Sequence, residues 1–124
     1  MAKILVIDDS AFMRKYLREV LEEAAFEVEE FLPLSALEVM EKIRTSAPDL
    51  VLSDYNMPDV DGQSVARMTK KANSSVRVVI LTAVRDSARE AALTKVGVDL
   101  ILHKPIQSES LVQAIQKVLK GEGP

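Results

Sequence analysis

Two rhythms of apolar residues alternate along this chain. Short runs that are apolar almost throughout, at residues 4–7, 50–52, 76–81 and 100–102, are separated by stretches in which apolar residues recur three and four positions apart. An uninterrupted run bounded by turn-forming residues reads as a strand buried on both faces, whereas the spacing of three and four marks one face of a helix. Each run stops on polar chemistry: Asp8 and Asp9 after the first, Asp54 after the second, Thr82 after the third, and His103, Lys104 and Pro105 after the last.

The elements follow in order. Ser10 is placed to cap a helix reaching about residue 25, with Leu17, Val20, Leu21 and Ala24 on its apolar face. Residues 27–31 instead alternate, Val28 and Phe31 standing among three glutamates, which suits a short edge strand with one wet face, closed by Pro33. Ser35 followed by Glu38 is a capping-box pattern opening a helix to about Thr45, with Leu37, Met40 and Ile43 inward. Pro48 separates that helix from the run ending at Asp54. Beyond the loop closed by Asp61 and Gly62, a helix over about 63–71 places Val65 and Met68 inward and ends before Asn73, Ser74 and Ser75. Ser87 with Glu90 repeats the capping-box spacing for an Ala-rich helix held mainly by Leu93 and Val96, and Gly97 suits its left-handed end. Ser108 is placed to cap a last helix with Leu111, Ile115, Val118 and Leu119 on one face, and the tail 121–124 reads as loop. Five strands alternating with five helices predict a doubly wound α/β fold, because parallel strands need crossovers long enough for a helix.

Composition narrows the classes. A chain of 124 residues is expected to form one domain and to bury roughly two-thirds of its unfolded surface. With 48% hydrophobic and 28% charged residues the chain has globular rather than disordered composition. A net charge of −3 argues against a dedicated nucleic-acid binder. The absence of cysteine excludes a disulfide framework, a thiolate metal site and a thiol nucleophile, and His103 alone cannot build a His-rich metal site. The apolar run at 4–7 is too short for a signal peptide or a membrane span. A cytoplasmic protein without membrane insertion is expected.

In an open parallel sheet, sites form outside the carboxyl ends of the strands. Asp8, Asp9, Asp54, Thr82 and Lys104 all fall there, while the alternating strand at 27–31 contributes nothing. Three crowded carboxylates stay charged only if a cation offsets them, and carboxylates with a carbonyl and waters describe Mg²⁺, which often binds together with phosphate. Neither a Walker-type loop nor a G-x-G-x-x-G is present, so a nucleotide is not indicated. Lys104 and Thr82 are the donor types that hold phosphoryl oxygens. Asp54 is then nucleophile or metal ligand, and as nucleophile it would form an aspartyl phosphate. Singly, each residue has a plainer reading: helix-terminal acids, a surface lysine, a strand-end threonine, a turn aspartate. Their joint position on four strand ends does not.

Asp8-Asp9-Ser10, Asp54-Tyr55-Asn56-Met57-Pro58 with Asp61-Gly62, Thr82-Ala83 and Lys104-Pro105 resemble, over essentially the whole chain, the receiver domain of two-component response regulators, most of all its single-domain chemotaxis type. The resemblance implies a flavodoxin-like sheet of order 2-1-3-4-5; the switch-point rule itself counts a chemotaxis regulator among its examples, so the order rests on the resemblance. It implies that Asp54 is the phosphoacceptor. Asp9, Asp54 and the backbone carbonyl of Asn56 would bind Mg²⁺, with Asp8 acting largely through a water. Thr82 and Lys104 would hold the phosphoryl oxygens, and the bond between Lys104 and Pro105 would be cis. The phosphodonor would be a sensor histidine kinase. The response would pass to a partner protein through the fourth helix, fifth strand and fifth helix, with no output domain, no enzymatic turnover and no direct nucleic-acid contact. One departure stands out: the family usually carries Tyr or Phe three residues before the lysine, and here Ile101 stands there. Stiff at χ1, Ile101 cannot sweep the volume of a rotating ring, so activation is expected to fall on residues 83–86 and the Ala-rich helix. His103 is an unusual neighbour for the lysine; it, Arg14 and the methionines read as solvated or core residues, and Phe12 and Met13 as either packing or a gate beside the acidic pair. Two other classes compete. An Asp-nucleophile phosphohydrolase would want a second acid two residues after Asp54, where Asn56 stands, and a non-phosphorylated pseudo-receiver would not need the full set of site residues.

Overall fold

Every strand is built from the runs described above, and the computed structural model describes residues 1–121. In chain order the elements are β1 (Lys3–Ile7), α1 (Ala11–Glu23), β2 (Glu27–Phe31), α2 (Ala36–Ser46), β3 (Leu50–Asp54), α3 (Gly62–Ala72), β4 (Arg77–Thr82), α4 (Ser87–Lys95), β5 (Leu100–His103) and α5 (Ser108–Leu119). The strands form one parallel sheet of order β2-β1-β3-β4-β5, the flavodoxin-like order.

Period-2 alternation sends successive strand residues to opposite helical layers. Ile4, Val6, Leu50, Leu52, Val79 and Leu81 pack with Leu17 and Leu21 of α1 and with Leu111, Ile115 and Val118 of α5. Leu5, Ile7 and Val51 face Val39 and Ile43 of α2 and Val65 of α3. Val78 and Ile80 meet Ala66 of α3 and Leu93 of α4. Both faces are covered, which is why these strands carry no polar alternation. β2 lies at the sheet's edge, as its glutamates require; Glu29 accepts from Ser46 Oγ at 2.8 Å, lies 3.3 Å from Lys3 Nζ and pairs with Lys42.

Several local expectations shift. Leu37 is 62% exposed and Val39 takes the buried place on α2, because the helix begins at Ala36 and its inward stripe runs Val39, Ile43, Ser46. Ser35 does cap α2, accepting from Glu38 N at 3.2 Å, but the returning Glu38 carboxylate meets Leu34 N rather than the cap's own N–H. The α4 cap is Asp86, which accepts from Ala88 N and Arg89 N at 3.0 and 3.1 Å, so Ser87 is already helical. Gln107 occupies the start of α5 without a side-chain cap, and Ser108 is its first helical residue. Helix α1 stops at Glu23, with Ala25 in the left-handed region. Gly97 is left-handed at φ +101°, as its position after α4 suggested. Of the tail, Gly121 also has positive φ, and the rest lies outside the described residues.

Candidate functional site

Parallel pairing brings four strand ends to one rim. Register places Ile7 opposite Ser53, Asp54 opposite Leu81 and Thr82 opposite His103. Asp8 therefore leaves β1 beside Asp54, the last residue of β3, while Thr82 ends β4 and Lys104 follows β5. Ser10 caps α1 through Met13 N at 3.2 Å and sends its own N–H to Asp8 Oδ1 at 2.8 Å, fixing the turn that carries the acidic pair. The β3–α3 connection is closed by Tyr55 N on Leu81 O at 2.9 Å and Gly62 N on Tyr55 O at 2.8 Å. Glycine is required at 62: a Cβ there would sit 2.9 Å from Tyr55 Cα and 3.3 Å from Asp54 O.

Asp8, Asp9 and Asp54 each offer a carboxylate oxygen, and these oxygens lie within 4.8 Å of one another. Asp8 is 1% exposed, and its Oδ2 is buried without a hydrogen-bond partner among the described residues. Burial pushes the Asp8 carboxyl above the usual carboxylate range, helped by the charges of Asp54 and Asp9 and opposed by the Ser10 N–H and Lys104. A buried, unpartnered carboxylate oxygen facing two more carboxylates fits a hard divalent cation. Lys104 Nζ lies 2.9 Å from Asp54 Oδ1, both side chains largely shielded. Thr82, fully buried, shares its Oγ1 with the backbone of Val84, accepting from Val84 N at 3.2 Å rather than turning to Asp54. Asn56 follows on the exposed part of the same connection, and the Lys104–Pro105 peptide bond is cis.

Asp8, Asp9, Asp54, Thr82 and Lys104 thus come to one rim, and Asn56 lies in the connection that leaves it. Residues 4–116 match the response regulator receiver domain family. The chain belongs to that family. Receiver domains are signalling switches rather than enzymes, phosphorylatable units that work with sensor histidine kinases and downstream targets. The chain is 35% identical to the chemotaxis protein CheY of Halobacterium salinarum over 96% of its own length and 98% of the relative's. Against the CheY of Bacillus subtilis the identity is 30%, over 94% and 97%. Among solved structures, the Vibrio cholerae chemotaxis protein CheY4 superposes with a TM-score of 0.84 at 28% identity, covering 95% of this receiver and 98% of that chain. A receiver domain called DrrB, activated with BeF3, superposes at 0.83 and 27%, covering 97% and 98%.

Two residues taken as solvated or core have partners instead. Arg14 donates from Nη1 to the Asp8 carbonyl at 2.6 Å and pairs with Glu30 of β2 at 3.5 Å, so it braces the acidic turn. His103 Nε2 lies 2.9 Å from Glu90 Oε2 of α4. No sequence spacing signals that second contact, because 13 residues and a change of element separate the partners. Phe12 is 78% exposed, while Met13 lines an apolar groove of about 320 Å³ with Tyr16, Leu17, Ile106 and Leu111 beside Lys104. No helix among the described residues is long and apolar enough to cross a membrane.

Proposed function

We propose that this receiver takes a phosphoryl group from a phosphohistidine of a sensor kinase onto Asp54 and relays the change to a separate protein in the cytoplasm. The observation that carries this reading is Asp54 itself, a strand-end carboxylate held at 2.9 Å by Lys104 within 4.8 Å of the Asp8 and Asp9 oxygens. An Asp54 oxygen attacks phosphorus, the new P–O bond forms as the P–N bond to the donor imidazole breaks, and the imidazole leaves neutral after taking a proton. Mg²⁺, held by Asp9, Asp54 and the Asn56 carbonyl, with Asp8 largely through water, would supply the positive charge that offsets these carboxylates and the phosphoryl oxygens. Lys104 moves from the Asp54 oxygen to a phosphoryl oxygen, keeping a charge-assisted contact throughout. Thr82 offers its hydroxyl to another. The partner surface is α4, β5 and α5, a reading supported by α4 following Thr82 in the chain and by β5 and α5 flanking Lys104.

Incubation with acetyl phosphate and Mg²⁺ followed by intact-mass spectrometry tests the reading. One phosphate per chain is expected, with none on Asp54→Asn at that site. Continuous turnover of a phosphate ester would point to a hydrolase, and no adduct to a pseudo-receiver; either result overturns the proposal.

A further inference from the structure

Helix α4 has one buried residue, Leu93, where every other helix has at least two. Two consecutive side chains in its first turns add polar contacts. The Arg89 guanidinium lies over the Tyr55 ring, 4.1 Å from the centroid, and Glu90 Oε2 meets His103 Nε2 at 2.9 Å. Tyr55 is the residue after Asp54, and His103 the residue before Lys104. Strand β4, ending at Thr82, runs between the strands that carry these two anchors. The start of α4 thus grips the neighbours of both site residues across the end of β4.

We infer that Arg89 and Glu90 couple α4 to the site, holding the receiver in its resting arrangement through Tyr55 and His103, so that phosphorylation and release of α4 favour one another. The inference rests on Asp54 being the phosphoacceptor. The grip coexists here with a Thr82 hydroxyl engaged by Val84 N at 3.2 Å. When that hydroxyl turns to a phosphoryl oxygen, Val84 N loses its acceptor and residues 83–86, all exposed, must rearrange. Asp86 belongs to this segment and caps α4, so the rearrangement pulls on the turn that carries Arg89 and Glu90. With one buried leucine, α4 has little apolar packing to oppose its displacement.

The contacts are strong enough to bias the helix and weak enough to release it. A cation–π contact and a partly exposed hydrogen bond between an imidazole and a carboxylate are each modest. Arg89 Nη1 is also buried without a hydrogen-bond partner among the described residues, and such an unmet donor is costly. Displacement of α4 that brings this nitrogen to water recovers part of what the lost stack gave. The imidazole of His103 holds the Glu90 carboxyl below the usual carboxylate range, keeping it ionised for the pairing. Because coupling is reciprocal, a partner that binds displaced α4 also favours the phosphorylated site.

Arg89→Gln and Glu90→Ala, with Arg89→Lys as the conservative variant, separate coupling from mere support. Amide hydrogen exchange of residues 87–95 in the resting protein reads the grip, and titration with beryllofluoride and Mg²⁺, a phosphoryl mimic, reads the site. Faster exchange confined to α4 is expected in Arg89→Gln and Glu90→Ala. Each should also lower the beryllofluoride midpoint about 3- to 10-fold, with Arg89→Lys close to wild type. An unchanged or raised midpoint overturns the coupling, even if exchange accelerates, and leaves the phosphoacceptor reading standing. A wild-type protein that takes up no beryllofluoride overturns that underlying reading instead.

Discussion

At the scale of single residues, Asp8 shows what the site costs the fold. A carboxyl that burial holds above its ordinary pKa binds protons more tightly folded than unfolded. Its unfavourable contribution therefore grows as pH rises from the unfolded value through the folded one and is fully present above that. Asp8→Asn keeps an oxygen for the Ser10 N–H and removes the charge, so the metal-free protein should gain about 1–2 kcal/mol near neutral pH, read as a higher melting temperature in EDTA. A lower melting temperature would contradict this. Asp9→Ala is expected to weaken Mg²⁺ binding at least ~10-fold, followed by amide NMR shifts, since a site with so few carboxylates has none to spare. Unchanged affinity would move the metal elsewhere. The placement of Asp8, Asp9, Asp54, Thr82 and Lys104 was legible in the sequence because each ends a strand or lies within two residues of a strand's end. The contacts of Arg14 and His103 were not, because they depend on which residues of other elements come within reach.

At the scale of elements, the order and type of all ten were legible, and the caps were not always. A hydroxyl and a carboxylate one position apart fit the same start signal, and for α4 the backbone hands over at Asp86 rather than at Ser87. Asp86→Ala should cost about 1 kcal/mol in chemical denaturation, with faster amide exchange in α4 alone; a change spread over all helices would deny Asp86 a local role. Leu37 misled for a related reason: spacing alone does not fix which stripe of a short helix faces inward. On β2, Glu29 gathers Lys42, Ser46 and Lys3, and the hydrogen bond from Lys42 leads in lowering its carboxyl from 4.5 to about 2. Its stabilising contribution is present above pH 4.5 and is lost as pH falls from there towards 2. Glu29→Gln should destabilise the protein by about 1–2 kcal/mol at pH 7 and by much less at pH 2–3, measured by urea denaturation at both. Equal losses at both pH values would show that the ion pairs contribute nothing.

At the scale of the whole molecule, alternation on β1, β3 and β4 ties both helical layers to the same strands. Leu52 faces α1 and α5 while Val51 faces α2 and α3, so neither layer can melt without loosening the strands of the other. Leu52→Ala should cost about 2–5 kcal/mol in urea while the unfolding transition stays single by circular dichroism and tyrosine fluorescence. Two separated transitions would mean that the layers unfold independently. Parallel architecture was legible from the crossovers; the strand order followed from family resemblance, because right-handed crossovers alone leave more than one arrangement. The place of β2 at the sheet's margin has one more effect. Its open backbone could template a strand from a second molecule, but any such pairing would trap Glu29 and Glu30 with the lysines and arginines they hold, stripping those charges of water. The strand that places no residue on the acidic rim thereby makes its own edge of the sheet a poor template for clumping.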